Sequence, residues 1–205
     1  LLKREDSYRI RVELELPTSQ GFGMSAAGLV AVARAFRSLT KKGSEQQYLR
    51  LAHRIERMHG SGLGDVLGIS AKGVELRLEP GAPGSGGKAV SFPTNQPILV
   101  VWQPEESRHT SKYIDDVKWQ RSISKAGERS VSRLRLKEWS FERWSDLMLE
   151  SRNFADASGL LDEEARKKLL SRVQKEILRL DFQARVNVRL CMLGVSVVIL
   201  PRRLD

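Results

Sequence analysis

The stretch Pro17-Thr18-Ser19-Gln20-Gly21-Phe22-Gly23-Met24-Ser25-Ala26-Ala27-Gly28 lies between two segments of different periodicity. Upstream, Tyr8, Ile10, Val12, Leu14 and Leu16 alternate with polar residues, which predicts a half-buried strand. Downstream, residues 26–39 are rich in Ala, Leu and Val and contain no Pro, which predicts a helix. A strand that enters a glycine loop opening a helix is a phosphate-binding arrangement. Gly21 and Gly23 allow a tight turn and close approach of a ligand, and Ser25 falls where the first helical N–H groups have no intrahelical partner. The loop is not a Walker A motif, because it holds no lysine and lacks the G-K-[ST] ending. Ala26 stands where a dinucleotide fingerprint requires its third glycine.

The remaining composition sets the class. With 205 residues the chain is long enough for one large or two small domains. A mean hydropathy of -0.35 and the strand-sized longest apolar run, near Val195 to Leu200, predict a protein without a membrane span. The polar opening Leu1-Leu2-Lys3-Arg4-Glu5-Asp6 is unlike a signal peptide, and the single Cys191 suits a reducing cytoplasm as a small buried residue. The net charge of +10 points to anionic partners, either nucleic acid or a phosphorylated small molecule. Acids are scattered among the bases without a long basic run, so most of this charge reads as solvated surface.

Further along, Gly43 and Ser44 read as helix stop and next N-cap, and Tyr48, Leu51, Ala52, Ile55 and Met58 define a second amphipathic helix over residues 45–59. Residues 60–68, with four glycines and Asp65, read as a loop with special dihedrals. Val74, Leu76 and Leu78 predict a strand, residues 80–87 a flexible Pro/Gly connection, and residues 97–103 a buried strand that opens a second domain. Trp139, Trp144, Leu147, Met148 and Phe154 read as helix cores. Asp162 reads as the cap of a helix with Leu169, Val173, Ile177 and Leu180 inward and its basic residues solvated. His53 and His59 have no metal-ligand spacing with each other or with Cys191, which argues against zinc.

The opening loop resembles the second motif of the GHMP kinases, P-x-x-x-G-[LF]-G-x-S-[SA]-A, at Pro17, Gly21, Phe22, Gly23, Ser25, Ala26 and Ala27. Glu56, followed by Ser61-Gly62-Leu63-Gly64-Asp65-Val66, resembles the segment of that family in which a helical glutamate precedes S-G-x-D. The wording here is that of its archaeal pantoate-acting branch. Residues 123–129 and 154–160, and Met192-Leu193-Gly194 at the place of the third motif, are similar to the same branch, although that motif is usually richer in glycine.

The resemblance implies an α+β, two-domain GHMP-kinase fold. Residues 1–95 would be the remainder of an N-terminal ATP-binding domain of sheet plus helices, incomplete at its start, and residues 96–205 a C-terminal ferredoxin-like α/β sandwich. It implies a kinase that uses ATP and Mg2+ to phosphorylate the terminal hydroxyl of pantoate in archaeal coenzyme A biosynthesis, cytoplasmic and possessing a homodimer interface. By resemblance, Pro17, Gln20, Gly21, Phe22, Gly23, Met24, Ser25, Ala26 and Ala27 hold the nucleotide, Ser25 and Glu56 the metal, and Asp65 is catalytic. Gly62, Gly64, Arg108 and Lys112 are the substrate-side candidates, with a solvated loop the plainer reading of Arg108 and His109. The chain starts at Leu1 and reads as a copy lacking the strands and first motif that precede this loop in the family. Three alternatives stay open: a relative acting on shikimate, homoserine or mevalonate, a non-catalytic protein of the same fold, and a nucleic-acid-binding module. Glu56 and Asp65 beside the loop count against the last.

Overall fold

The computed structural model describes residues 7–106, 113 and 115–204. Helix α1 (Met24–Thr40) and helix α2 (Glu45–Met58) form an antiparallel hairpin. The second helix starts where residue chemistry places it. The Ser44 side chain accepts from the Gln47 N–H, and the Gln47 side chain accepts from the Ser44 N–H, a reciprocal capping box. Ala26, Val30 and Ala33 pack against Tyr48, Leu49 and Ala52, and the Tyr48 hydroxyl lies 2.8 Å from that of Thr40. Small residues on α1 let the two helices approach closely.

A short helix α3 (Asp65–Ala71) follows, then strands β1 (Val74–Glu79), β2 (Ala82–Pro83) and β3 (Gly86–Phe92) in the order β1-β3-β2. Strand β4 (Leu99–Trp102) leads to helix α4 (Val117–Leu134), helix α5 (Trp144–Ala157) and helix α6 (Glu164–Arg179). Strands β5 (Val186–Leu190) and β6 (Ser196–Pro201) complete a second sheet, antiparallel throughout, in the order β4-β6-β5. The chain is therefore α+β. The two sheets share a core through α5. Trp144 and Met148 pack on Phe92 of β3 and Leu200 of β6, while the Trp139 and Trp144 indoles donate to the carbonyls of Val74 and Pro201, each at 2.9 Å. Among the described residues no helix is long and apolar enough to cross a membrane.

Several sequence expectations change, among them the burial of residues 97–103, where Ile98 and Leu99 are exposed, and of the second helix, where Leu51 and Met58 are exposed. Residues 8–16 form no strand; Tyr8, Ile10, Val12 and Leu14 are 40–55% exposed and the segment runs along α1, with Tyr8 edge-on to Phe36. Alternation supplies the side chains of a strand, but a ladder partner must satisfy its backbone, and no described strand pairs here. Asp65 to Gly68 are helical rather than looped. Gly68 is there for closeness: a Cβ would come within 2.8 Å of Glu75 Oε1 and 2.9 Å of Arg77 Nη2. Residues 80–87 are an ordered reversal that contains β2 and the start of β3, with Gly81, Gly84 and Gly86 at positive φ. Asp162 closes a short 3-10 turn, and α6 begins two residues later; Leu180 is 52% exposed, outside the buried stripe.

Candidate active site

The glycine loop meets the N-terminal end of α3 and the start of β1 around a cavity of about 440 Å3. Gly21, Phe22, Gly23, Met24 and Ser25 form one wall, Asp65, Glu75 and Arg77 another, and Met192 to Gly194 a third. Gly21 and Gly23 both have positive φ, 78° and 68°, but for different reasons. A Cβ on Gly21 would lie 2.9 Å from Cys191 C and nearer still to that residue's carbonyl oxygen, whereas a Cβ on Gly23 would meet nothing within 4 Å. Gly21 thus packs the loop onto the 191–194 turn, and Gly23 faces open space at the N-cap of α1. The first N–H groups of a helix have no intrahelical partner, no side chain caps α1, and Met24 and Ser25 line the cavity, a favourable place for an anion.

Behind the cavity, Glu56 is fully buried and does not line it. Its Oε1 accepts from the Asp65 N–H at 2.8 Å, so the α2 glutamate caps α3, and its Oε2 lies 3.3 Å from His53 Nδ1 without a hydrogen bond. Burial, and then the adjacent Asp65 carboxylate, hold the Glu56 carboxyl above the ordinary carboxylate range; the Asp65 and Val66 N–H groups and His53 offset part of this. Gly62 is the space Glu56 occupies, since a Cβ there would lie 3.0 Å from Glu56 Cδ.

Asp65 turns its carboxylate into the cavity, where Oδ1 accepts from Arg77 Nη1 at 3.1 Å, and Arg77 Nε donates to Glu75 Oε1 at 2.9 Å. Burial works against the Arg77 charge, but Glu75 and Asp65 outweigh it and raise the guanidinium above its usual value. Arg77 and Leu63 also face a second cavity, of about 790 Å3, lined further by Gly64, Arg57 and Arg135. The two cavities meet across Asp65's ion-pair partner.

Of the nucleotide residues named from sequence, Gly21 to Ser25 line the first cavity, whereas Pro17, Gln20, Ala26 and Ala27 do not. Ala26 belongs to the α1–α2 core, and the buried Gln20 side chain donates to the Gln103 carbonyl at 3.0 Å. Ser25 and Glu56, assigned to a metal, are split between the cavity wall and the interior. Among the described residues no three His, Cys, Asp or Glu side chains gather as a metal site. Mg2+ commonly takes only one or two protein ligands beside phosphate and water, and the oxygens here are of the hard kind it prefers. Glu56 Oε2, buried without a hydrogen bond, retains the capacity to accept one. Arg108 and Lys112 lie outside the described residues.

Arg77, Glu75 and Lys72 are cavity residues that the sequence reading passed over. A signal was available for two of them: Glu75 and Arg77 occupy the polar face of a strand whose other face is Val74, Leu76 and Leu78.

A glycine loop at a helix N-terminus thus faces a carboxylate across one cavity. The family model described as GHMP kinases N terminal domain matches residues 1–73. The related curated proteins are pantoate kinases. That of Thermococcus kodakarensis is 35% identical over 80% of this chain and 50% of its own. That of Methanospirillum hungatei is 29% identical over 93% of this chain and 58% of its own, and that of Methanocaldococcus jannaschii 30% over 78% and 56%. The chain thus spans about half the length of these relatives. No solved structure matches it significantly.

Proposed function

We propose that the protein is an ATP-dependent kinase that phosphorylates the terminal hydroxyl of pantoate, giving 4-phosphopantoate, as a cytoplasmic step of archaeal coenzyme A synthesis. The observation that carries this reading is that one cavity is lined both by the glycine loop, Gly21 to Ser25, and by Asp65. Phosphoryl transfer needs positioning and charge neutralisation more than covalent chemistry. The backbone from Gln20 to Ala26 would hold the ATP phosphates. Asp65 would orient the attacking hydroxyl or take its proton, a contribution of about 10²–10⁴ for a positioned base. Arg77 holds Asp65 in place and offsets its charge, so that the acid does not repel the phosphates.

When bound, Mg2+ would neutralise charge on the phosphates. Ser25 would offer it a hydroxyl and Glu56 a carboxylate, and a cation near Glu56 would favour the ionised form that burial disfavours. We assign the hydroxy acid to the second cavity, where Arg57 and Arg135 offer cations for its carboxylate beside Gly64. The domain reading that accompanies this function puts the boundary near residue 95, with a ferredoxin-like second unit and a homodimer in solution. No nucleic-acid partner is part of it.

The test is ADP release with ATP, Mg2+ and a panel containing pantoate, shikimate, homoserine and mevalonate, using both this chain and a version extended upstream. Turnover with pantoate alone is the expected outcome. Turnover with another acid, or none in a folded extended protein, would overturn the assignment.

A further inference from the structure

One fully buried charge lies away from the cavity. Arg166, in the first turn of α6, is 0% exposed. Its Nε donates to the Gly194 carbonyl at 3.0 Å, one Nη to the Leu193 carbonyl and at 2.7 Å to the Tyr113 hydroxyl, and the other Nη to the Leu160 carbonyl at 3.4 Å. The Glu163 carboxylate lies 3.3 Å away and also accepts from Tyr113. A buried guanidinium is costly unless its donors are all engaged, and here two are spent on consecutive carbonyls of one turn.

That turn, residues 191–194, is the surface on which the glycine loop rests. A Cβ on Gly194 would lie 2.6 Å from Gln20 Cα, and one on Gly21 would lie 3.0 Å from the Gly194 nitrogen. The two backbones are therefore in direct contact at both glycines. The Ser196 hydroxyl, buried just beyond the turn, donates to the Gln20 carbonyl, and the Gln20 side chain is fixed on Gln103. Met192 to Gly194 continue directly into the cavity wall.

We propose that Arg166 is a positioning residue for the glycine loop: it fixes the 191–194 turn, and the turn, with Ser196, fixes residues 20–21 against which the phosphate-facing residues 22–25 are set. This rests on the reading of that loop as the phosphate site. Pre-set N–H donors lose no orientation on binding an anion, so the clamp acts on nucleotide affinity and not on the chemistry at Asp65.

The test compares the full chain with Arg166→Lys, Ser196→Ala and Arg143→Lys by amide hydrogen exchange over residues 18–25 without ligand, and by ADP titration. Arg143 is the matched control. It too is a nearly buried arginine that donates to two consecutive carbonyls, of Arg133 and Leu134, but it does not touch the turn. Arg166→Lys and Ser196→Ala are expected to speed exchange in the loop about tenfold and weaken ADP binding, while Arg143→Lys lowers stability and leaves loop exchange unchanged. Unchanged loop exchange in folded Arg166→Lys and Ser196→Ala overturns the proposal. So does the same acceleration in Arg143→Lys. If Arg166→Lys does not fold, Ser196→Ala decides alone. Failure of the unsubstituted chain to bind ADP would count against the kinase reading, while the exchange data would still decide the clamp.

Discussion

Alanine at Gly21 and at Gly23 separates packing from binding in one loop. Both residues have positive φ, so either alanine stores about 1–2 kcal/mol of backbone strain. At Gly23 the cost stops there, because the added methyl meets no atom within 4 Å. At Gly21 the methyl would lie 2.9 Å from Cys191 C, where an ordinary contact is 3.4–4 Å. The Cys191 carbonyl oxygen would lie nearer still, so the loop and the turn would have to part by more than about an ångström in a close-packed region, adding about 1–3 kcal/mol of overpacking. Gly21→Ala should therefore lose about 2–5 kcal/mol, a large share of a typical stability, and Gly23→Ala about 1–2 kcal/mol. Binding should show the complement: the Gly23 methyl enters the space assigned to phosphate and weakens ADP about tenfold or more. Urea denaturation with a common slope gives the stabilities, and calorimetric titration the affinities. Equal stability losses would refute the packing argument. Unaltered ADP affinity in Gly23→Ala would refute the placement of phosphate.

Two further predictions follow from buried groups. The Glu56 carboxyl is held above its ordinary value of 4.5, so the folded state binds that proton more tightly than the unfolded chain. This contribution to stability is present below about 4.5 and is lost as pH rises through the folded value. Glu56→Gln, which cannot ionise and keeps an acceptor for the Asp65 N–H, should gain in urea midpoint on the parent as pH rises from 4 to 7 in metal-free buffer; a widening deficit would contradict the assignment. Burial pushes the Cys191 thiol up to about 11, with the Ser196 hydrogen bond offsetting part of it. Its alkylation by iodoacetamide at pH 8 should run about a hundredfold slower than that of a free thiol, and a rate close to the free one would contradict it.

Local chemistry made several elements legible in the sequence. The Ser44 cap, the small-residue face of α1, the alternation of β1 and the glycine loop each depend on residues near in sequence, and each is found where the residues predict it. What the sequence hid depends on partners. Tyr8 to Leu14 have the pattern of a strand, but whether they form one depends on a neighbouring backbone. Gly68 looks like a loop glycine until β1 brings Glu75 and Arg77 against it. Arg77 and Arg166 are one cation each in a chain of +10 net charge, and only the fold shows that one binds Asp65 and the other a turn far away in sequence. Glu56 and Asp65 were recognised as a pair by resemblance. Their contact through the Asp65 N–H, with the glutamate away from the cavity, is a feature of α2 meeting α3 that spacing could not supply.

The proposed role of Asp65 is to act on a hydroxyl that reaches from the second cavity into the one that holds ATP on the glycine loop. Asp65→Asn tests it most directly, measured side by side for pantoate-dependent ADP release and for ATP binding in the upstream-extended protein. Turnover should fall by about 10²–10⁴ with ATP affinity essentially intact. Turnover at the parent rate would contradict the role of Asp65, and loss of ATP binding together with turnover would contradict the division of labour between Asp65 and the loop.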